Sequence, residues 1–457
     1  MDKDFKNILM EAGFMECEGG TYFNVYSEAD SSTVFDEDDG TINETPVPGY
    51  EGESYVNWGY DNLLPYEIMR LVGQDEVMSQ NKFFNVLTCF GSGLEYMDRT
   101  TGKPTRNGDV LPWLSHNNLS SLMLEMATDM KYFFFSVVTV ILSRDGSRIN
   151  KIRHKEACHC RFQRADRRGR IGHVYVANWR KNSGLQRGDI ERIPLLDIND
   201  PLGDLRVRMG LDRDGSGSHG KPTSLRKFAI VVRFPTPGLQ YYPVPYYTSI
   251  FRGDWYDIKR LVGKGKKAKM KNHASLKYMV SVNDRYWDKI CYSQGITDNE
   301  KRRELIKKTQ MQIRDFLTGI ENSGKMWFAG FMTTPDGKEV EDIRITTLET
   351  QKEGGDWSED IEEASNITCY GDNIHPNLVG ATPGKAQSNN SGSDKRELFT
   401  LKQALETSFH RLMYIPHQVA IGYNGWDDIV YPDVPMILLT TLDQHTDAKK
   451  VSDPNAS

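Results

Sequence analysis

The sequence has few cysteines, no long apolar run and no excess of basic residues, and each shortage excludes a class of protein. The six cysteines among 457 residues are mostly scattered, which is typical of a reducing compartment and not of a disulfide framework. The longest apolar run, residues 132–142, is about half of the roughly 20 residues that a membrane-spanning helix requires. The 57 basic and 63 acidic residues give a net charge of −6, unlike a dedicated duplex-DNA binder. We therefore expect a protein that is made in the cytoplasm, has no membrane segment and contacts nucleic acid only locally.

Enzyme signatures are missing as well, since the sequence has no HExxH, G-x-S-x-G or paired CxxC motif. The nearest approach to a nucleotide-binding loop is GATPGKA at residues 380–386. A Walker loop needs one more residue between its glycines, and a Ser or Thr after the lysine to bind magnesium. Here Ala386 stands in place of that hydroxyl, and Pro383 removes an amide donor. These departures predict neither an NTPase nor any other enzyme, and no cofactor.

The only cluster of soft metal ligands is His154, Cys158, His159 and Cys160. Their spacing does not match a zinc finger. On a strand, Cys158 and Cys160 would share one face while His159 pointed to the other. The pattern favours packed thiols and a half-exposed histidine, with no bound metal.

Apolar periodicity and turn residues predict a mixed α+β protein. Residues 28–52 are acidic and rich in turn residues, which predicts an exposed or disordered arm, with ordered structure from Tyr55. The run at 132–142 is β-branched and aromatic and predicts a buried strand. Further predicted elements are helices at 65–73, 76–90 and 119–131, a meander at 148–177, a strand at 228–234, a helix after a Thr297–Glu300 capping box, and a hairpin around 335–338.

Residues 380–393 form a polar segment rich in Gly, Ser and Asn, followed by a predicted long helix from Asp394 to about Tyr414. Asp394 and Glu397 have capping-box spacing. An apolar stripe predicts the face that anchors this helix, and consists of Leu398, Leu401, Leu405 and Leu412. Long polar segments beside anchored elements are often functional, although an ordinary disordered connection is the alternative.

Four stretches along the chain carry a resemblance to a known family: YVNWGYDNLLPYEIMRLV, FFNVLTCFGSGLEY, GLQYYPVPYYTSIFRGDWYDI and NIHPNLVGATPGKAQSNNSGSDKRELF. They occur in the order seen in tailed-bacteriophage portal proteins, and over residues 55–439 the sequence resembles that family. The first contains the Trp-Gly-x-Asp-Asn-x-x-Pro pattern of one portal branch, here Trp58 to Pro65. The resemblance implies a multi-domain portal-like fold and a ring, typically of twelve copies, at one capsid vertex.

The resemblance also implies a domain plan. The plan assigns residues 1–54 to an N-terminal arm, 55–177 to the first part of the wing, 178–245 to a clip-like α/β insertion, 246–272 to the stem helix, 273–379 to the second part of the wing, 380–393 to the tunnel loop, 394–443 to the long helix with a C-terminal β segment, and 444–457 to a flexible tail.

In this plan the tunnel loop and the start of the helix behind it face DNA in the channel. The expected channel residues are Lys385, Gln387, Ser388, Asn389, Asn390, Ser391, Ser393, Lys395 and Arg396. A second basic set lies on the stem: Lys259, Arg260, Lys264, Lys266, Lys267, Lys269 and Lys271. The stem set could touch phosphates, or could equally be a solvated face or a face against an acidic partner.

The implied partners are other copies of the chain, the major capsid protein, the terminase packaging motor, the head-to-tail adaptor and non-specifically bound double-stranded DNA. The implied location is the portal vertex of the virion. Two other functions stay open from the residues alone. One is another virion structural protein, such as a connector or baseplate component. The other is a nucleic-acid-processing enzyme, which would need an acidic metal site that the sequence does not reveal.

Overall fold

The computed structural model describes residues 14–17, 21–24, 42–167, 169–180, 184–218, 220–237, 241–273, 278–318, 331–333, 339–347, 356–379 and 392–437. The chain divides into two compact units. Unit 1 comprises Met1–Asp257 and Glu362–Ser457, and unit 2 comprises Ile258–Ile361.

Helices and strands alternate along the described chain, which confirms the predicted mixed α+β character. The helices are α1 (Leu64–Gln74), α2 (Glu76–Phe90), α3 (Leu111–His116), α4 (Leu119–Phe133), α5 (Pro201–Arg208), α6 (Asp254–His273), α7 (Asp284–Ser293), α8 (Asn299–Thr318), α9 (Asp356–Gly371), α10 (Pro376–Val379), α11 (Gly392–Met413) and α12 (Ile415–Asn424). No helix in these ranges is long and apolar enough to cross a membrane.

The strands form small antiparallel sheets. They are β1 (Phe14–Cys17), β2 (Thr21–Asn24), β3 (Glu44–Pro46), β4 (Ser54–Val56), β5 (Glu95–Asp98), β6 (Phe135–Leu142), β7 (Ile149–Lys155), β8 (Cys160–Phe162), β9 (His173–Val176), β10 (Glu191–Pro194), β11 (Lys227–Arg233), β12 (Tyr278–Val282), β13 (Phe331–Thr333), β14 (Glu339–Glu341), β15 (Ile343–Thr347) and β16 (Val430–Asp433).

The sheet β11-β6-β7 separates the two hydrophobic cores of unit 1. On one face of β6, Phe135 and Val137 pack into the first core, while Val138 and Val140 on the other face pack into the second. Strand β11 divides its side chains in the same way. The buried strand predicted at 132–142 is present from Phe135, because α4 extends to Phe133 and ends in a left-handed residue, Phe134 (φ 60°).

Residues 178–245 do not form a separate module, which differs from the predicted clip-like insertion. Within this range β10 pairs with β9, and β11 pairs with β6 along its whole length. Both strands therefore complete sheets that begin earlier in the chain, and the range belongs to unit 1. The loop at 210–222, inside this range, has the Gly-rich polar sequence of a surface loop. The long-range pairing of the strands on either side of it has no local signal in the sequence.

Ordered structure begins before Tyr55, which corrects the predicted extent of the N-terminal arm. Strands β3 and β4 form a hairpin with Glu44 opposite Val56. Val47 in its turn is buried in the first core. Most of the predicted arm, and the predicted tail at 444–457, lie outside the described residues.

Unit 2 has its own small sheet and helices. Strand β12 pairs with β15. Strand β13 pairs with β14, which is the hairpin that the turn signal at 335–338 predicted. Trp287, Cys291 and Ile313 are among its buried side chains. Helix α8 begins at Asn299, where Asp298 Oδ1 accepts from the Glu300 amide at 3.2 Å. The cap is therefore Asp298 and not the predicted Thr297.

Candidate functional site: helix α11 and its buried support

The predicted channel segment lies between α10, which ends at Val379, and α11, which begins at Gly392. Six of its predicted DNA-facing residues lie outside the described residues: Lys385, Gln387, Ser388, Asn389, Asn390 and Ser391. The other three, Ser393, Lys395 and Arg396, are in the first turns of α11, so Asp394 is helical and does not cap the helix. Lys395 is exposed and Arg396 is half-buried.

Helix α11 is held by buried charged side chains and by apolar contacts near its C-terminal end, which include Leu412 of the predicted leucine stripe. Lys402 and Glu406 are buried at 5% and 1% exposure, whereas Leu401 and Leu405 are exposed at 59% and 47%. Apolar contacts of α11 with the second core come from Phe409, Leu412 and Met413. The prediction that Leu401 and Leu405 anchor this helix was therefore wrong.

The charged support extends over four elements, and we call its members the buried charge cluster: Lys82, Lys131, Asp372, Lys402 and Glu406. Lys82 Nζ lies 2.6 Å from Asp372 Oδ1. Glu406 pairs with two cations, Lys131 Nζ at 2.5 Å and Lys402 Nζ at 3.2 Å. The cluster thus connects α2, α4 and α11 to the turn that follows α9.

Carbonyl oxygens and aromatic rings complete the surroundings of the lysines. Lys82 Nζ donates to the Lys131 carbonyl at 3.2 Å and lies 2.9 Å from the centroid of the Tyr247 ring. Lys131 Nζ lies 3.5 Å from the centroid of the Phe409 ring. Lys402 Nζ donates to the Asn373 carbonyl at 3.3 Å. Such cation–ring contacts are strongest where water is excluded.

Burial dominates the electrostatics of this cluster. It lowers the pKa of Lys82 to about 8 and also lowers the pKa of Lys402, while the carboxylates oppose the shift. Burial alone would raise the pKa of Glu406, but Lys131 and Lys402 outweigh it and lower that pKa. Three cations face two carboxylates, so each carboxylate is needed to compensate the buried lysines. This arrangement can position α11 but offers no reacting group to a substrate.

The predicted stem run lies on α6. Arg260, Lys264 and Lys267 recur at helical spacing and share one face. Lys264 and Lys267 are exposed, whereas Arg260 is half-buried, as are Lys259 and Lys266. Lys269 and Lys271 belong to the same helix, and their side chains are outside the described set. The structure therefore confirms that this basic run is helical.

The soft ligands considered for zinc are divided between two settings. His154 Nε2 lies 2.6 Å from Asp129 Oδ2, and Cys160 is fully buried. Residues 157–159 form a 3-10 turn and not the expected strand, so Cys158 and His159 lie together with Glu156. Their possible ligand atoms are within 4.8 Å of one another. Burial raises the pKa of Cys158 to about 12, which disfavours the thiolate that a metal requires.

The buried charge cluster was not predicted from the sequence. Lys82, Lys131 and Asp372 lie far apart in the chain, and nothing in their local sequence marks them as buried. The one available signal was the pair Lys402 and Glu406 at i,i+4 spacing on the long helix, a pattern that is usually solvent-exposed.

Comparisons with known proteins identify solved structures with a similar fold. No protein-family model matches the sequence, and no curated protein matches it. Among solved structures, a chain of the virion of the native gene transfer agent (GTA) particle has a TM-score of 0.52 and 13% identity, with 85% of this chain and 86% of that chain covered. A chain of the neck of the empty GTA particle, computed with C6 symmetry, has a TM-score of 0.51 and 14% identity over 86% and 87% of the two chains. A chain of the neck of the native GTA particle, computed with C12 symmetry, has a TM-score of 0.51 and 14% identity over 82% and 84%.

These likenesses extend over most of the length of both chains. The protein therefore shares the fold of chains found in GTA particles, two of them in the neck. At 13–14% identity the likeness concerns the fold.

Proposed function

We propose that this chain is the portal protein of a phage-like particle, a ring-forming virion component through which DNA enters and leaves the capsid. The observation that carries the proposal is the fold shared with chains of GTA virion and neck structures over 82–86% of this chain. The ordered portal-like stretches between residues 55 and 439 support it independently. The C12 symmetry of one of those necks supports a ring of twelve copies.

In this proposal α11 is the support for the channel segment 380–393. The buried charge cluster connects α11 to α2, α4 and the turn after α9, so the middle of the helix that follows the segment is attached to the body of unit 1. The Asn and Ser residues of the segment would make weak contacts to DNA, with Lys385, Lys395 and Arg396 as the nearby cations. Weak contact suits a conduit, because each phosphate neutralised by a fixed cation adds affinity and slows passage.

Unit 2 is the better candidate for the clip that faces the packaging motor and the adaptor. It is a compact unit of its own, entered through α6 and left through α9. The range 178–245, by contrast, supplies strands to the sheets of unit 1. We therefore assign the stem role to α6 and α9, the helices at the two ends of unit 2, and the clip role to the part of unit 2 between them.

The proposed role is structural and not catalytic. The partners are other copies of the chain, the major capsid protein, the terminase motor, the head-to-tail adaptor and duplex DNA, and the location is the portal vertex of the virion. A different virion component, such as a connector, would share the particle but would form a smaller or open assembly.

Negative-stain electron microscopy with light scattering of the purified chain tests this function. Twelve copies of the 52.2 kDa chain would have a mass of about 630 kDa and would appear as closed rings with a central channel. A closed ring without a channel, or an open assembly, would favour the connector alternative. A monomer at every concentration, alone and with its scaffold partner, would contradict a portal.

A further inference from the structure

Two helices of unit 1 expose apolar strips that no other part of the described chain covers. On α11 the strip consists of Leu401 and Leu405, with 59% and 47% of their surface exposed. On α2 it consists of Phe83 and Leu87, with 59% and 44% exposed. In each strip the two residues are four apart, so they stand one above the other on a single helical turn. We call them the α11 strip and the α2 strip.

The two strips lie on opposite sides of one helix pair. Helices α2 and α11 touch where His410 Nε2 lies 2.8 Å from the Cys89 carbonyl oxygen. At roughly 100° per residue, Leu401 is about 180° around α11 from His410. Leu87 is about 160° around α2 from Cys89 by the same geometry. Each strip therefore points away from the partner helix, one on either flank of the pair.

The two helices run parallel. Lys82 and Lys402 reach adjacent residues, Asp372 and Asn373. Cys89 and His410, about two turns further along each helix, are also in contact. Corresponding ends of α2 and α11 are thus side by side.

We propose that the α11 strip of one copy packs against the α2 strip of the next copy in the ring. This inference rests on the proposed ring function and names its interface. A cyclic ring needs a heterologous contact, in which two unlike surfaces of the same chain meet between neighbours. Two strips of equal length on opposite flanks of one helix pair meet that requirement, whereas a single self-complementary patch would close a dimer.

Ring symmetry fixes the relative direction of the two strips. In a twelve-fold ring, as in the C12 neck, neighbours differ by one twelfth of a turn, or 30°. Such a rotation changes the direction of any helix by no more than that angle. Helix α11 therefore meets the neighbour's α2 nearly parallel, as it meets the α2 of its own chain.

A charge beside the α11 strip suits this parallel approach. Arg411 is exposed on α11. Along the helix axis it lies about 12 Å beyond the middle of the strip, just past the end of the neighbour's α2 at Phe90. A cation at this carbonyl end complements the dipole of the neighbour's helix.

Cysteine cross-linking tests the contact directly. The variants are Leu405→Cys, Leu87→Cys and the double variant, each oxidised after assembly and compared with the unsubstituted chain. Within one chain the two positions are on opposite sides of the helix pair, too far apart for a disulfide. We expect the double variant to form a ladder of covalent oligomers at least tenfold above the unsubstituted background, and each single variant to stay at background.

Two cross-linking results would overturn the proposal. One is a double variant that assembles into rings without forming the ladder. The other is self-linking of Leu405→Cys alone, because this would show a self-complementary contact.

A charge substitution separates failure of this interface from failure of the ring. We expect Leu405→Glu to raise the concentration for half-assembly at least tenfold by light scattering, and a second change, Leu87→Lys, to restore assembly. The matched control is Leu225→Glu, at a site that is 49% exposed and outside both strips. If Leu405→Glu assembles like the control, the interface is wrong and the ring stands. If the unsubstituted chain is always monomeric, both are wrong.

Discussion

Glu406 is the residue on which the buried charge cluster depends, because it is the carboxylate shared by Lys131 and Lys402. A buried ion pair is not by itself a strong source of stability, since desolvation offsets the attraction. Removing one member is costly, however, because the remaining charges stay buried without compensation. The cluster therefore gives α11 one defined position.

We predict that Glu406→Gln lowers the free energy of unfolding by about 3–5 kcal/mol, because two buried lysines lose their anion. Urea denaturation followed by circular dichroism measures the change. Glu397→Gln, on the exposed side of the same helix, is the control and should alter stability by less than about 0.5 kcal/mol. Equal effects of the two substitutions would show that the cluster does not hold α11.

His417 gives unit 1 a sensitivity to acid. The side chain is fully buried, and its Nδ1 lies 3.1 Å from the Tyr96 hydroxyl. Burial lowers the pKa of His417 from 6.5 to about 3. The unfolded chain therefore takes up a proton below about pH 6.5 that the folded chain does not bind until about pH 3. The contribution of His417 to the free energy of unfolding is therefore complete above pH 6.5, and it decreases as the pH falls towards 3.

We predict that the wild-type chain loses about 3 kcal/mol more stability than His417→Gln between pH 7.5 and pH 4.5, two pH units below the unfolded pKa. Urea denaturation across that range gives the difference. The exposed His116, changed to Gln, is the control and should leave the wild-type pH profile in place. Parallel profiles for wild type and His417→Gln would contradict the assignment.

At the scale of elements, β6 is the strand that organises unit 1. Its neighbours β11 and β7 pair along both edges, and its two faces contact different cores. A strand buried on both faces has a nearly continuous apolar run in place of alternation. This explains the sequence 135–142, in which only Ser136 and Thr139 are polar.

We predict that Val137→Ala and Val138→Ala each reduce the free energy of unfolding by about 2–3 kcal/mol, since each removes two methyl groups from a filled core. Val207→Ala, at a half-exposed site on α5, is the control. Denaturation curves distinguish a sheet buried on both faces from a sheet with one face in solvent. In the second arrangement only one of the two valine substitutions would lower the free energy of unfolding substantially.

Helix α11 shows that apolar spacing does not identify the buried face. Leu401 and Leu405 follow the pattern of a core-facing stripe, yet Lys402 and Glu406 on the adjacent face are buried instead. An apolar stripe indicates a face that will be covered, but it does not say whether the chain itself or another copy covers it. In a ring-forming chain the second case is the natural one.

At the scale of the whole molecule, a net charge of −6 coexists with the basic run on α6. In the proposed ring, which would be acidic overall, such a run would give local and weak attraction for phosphate. The association should therefore be sensitive to salt and indifferent to base sequence.

We predict that changing Arg260, Lys264 and Lys267 together to Gln weakens binding of duplex DNA at low salt and reduces the salt dependence of log K by about 0.9 for each phosphate that the helix no longer neutralises. Fluorescence anisotropy at several salt concentrations measures both effects. The control changes three exposed cations of unit 1, Arg144, Arg148 and Lys151, to Gln. An equal loss of affinity in both variants would indicate general charge attraction and no specific role for α6.

The elements whose signals are local could be predicted from the sequence alone. Pro65 lies in the first turn of α1, Gly91 follows α2, and the run 135–142 is a buried strand. Turn residues, helix starts and apolar runs act over a few residues, so they can be read before folding. The ordered stretches also indicated a structural protein of a virion, and the fold is shared with chains of GTA virion and neck structures.

Which distant residues meet was settled only by tertiary packing. Strand β11 joins β6 and so places 178–245 within unit 1, and Lys82, Lys131 and Asp372 reach Lys402 and Glu406 only after folding. The same packing turns Leu401 and Leu405 outward. These outcomes depend on pairings over tens to hundreds of residues, whose energies no local window contains. For this reason the place of residues 178–245 within unit 1 and the buried face of α11 could not be predicted.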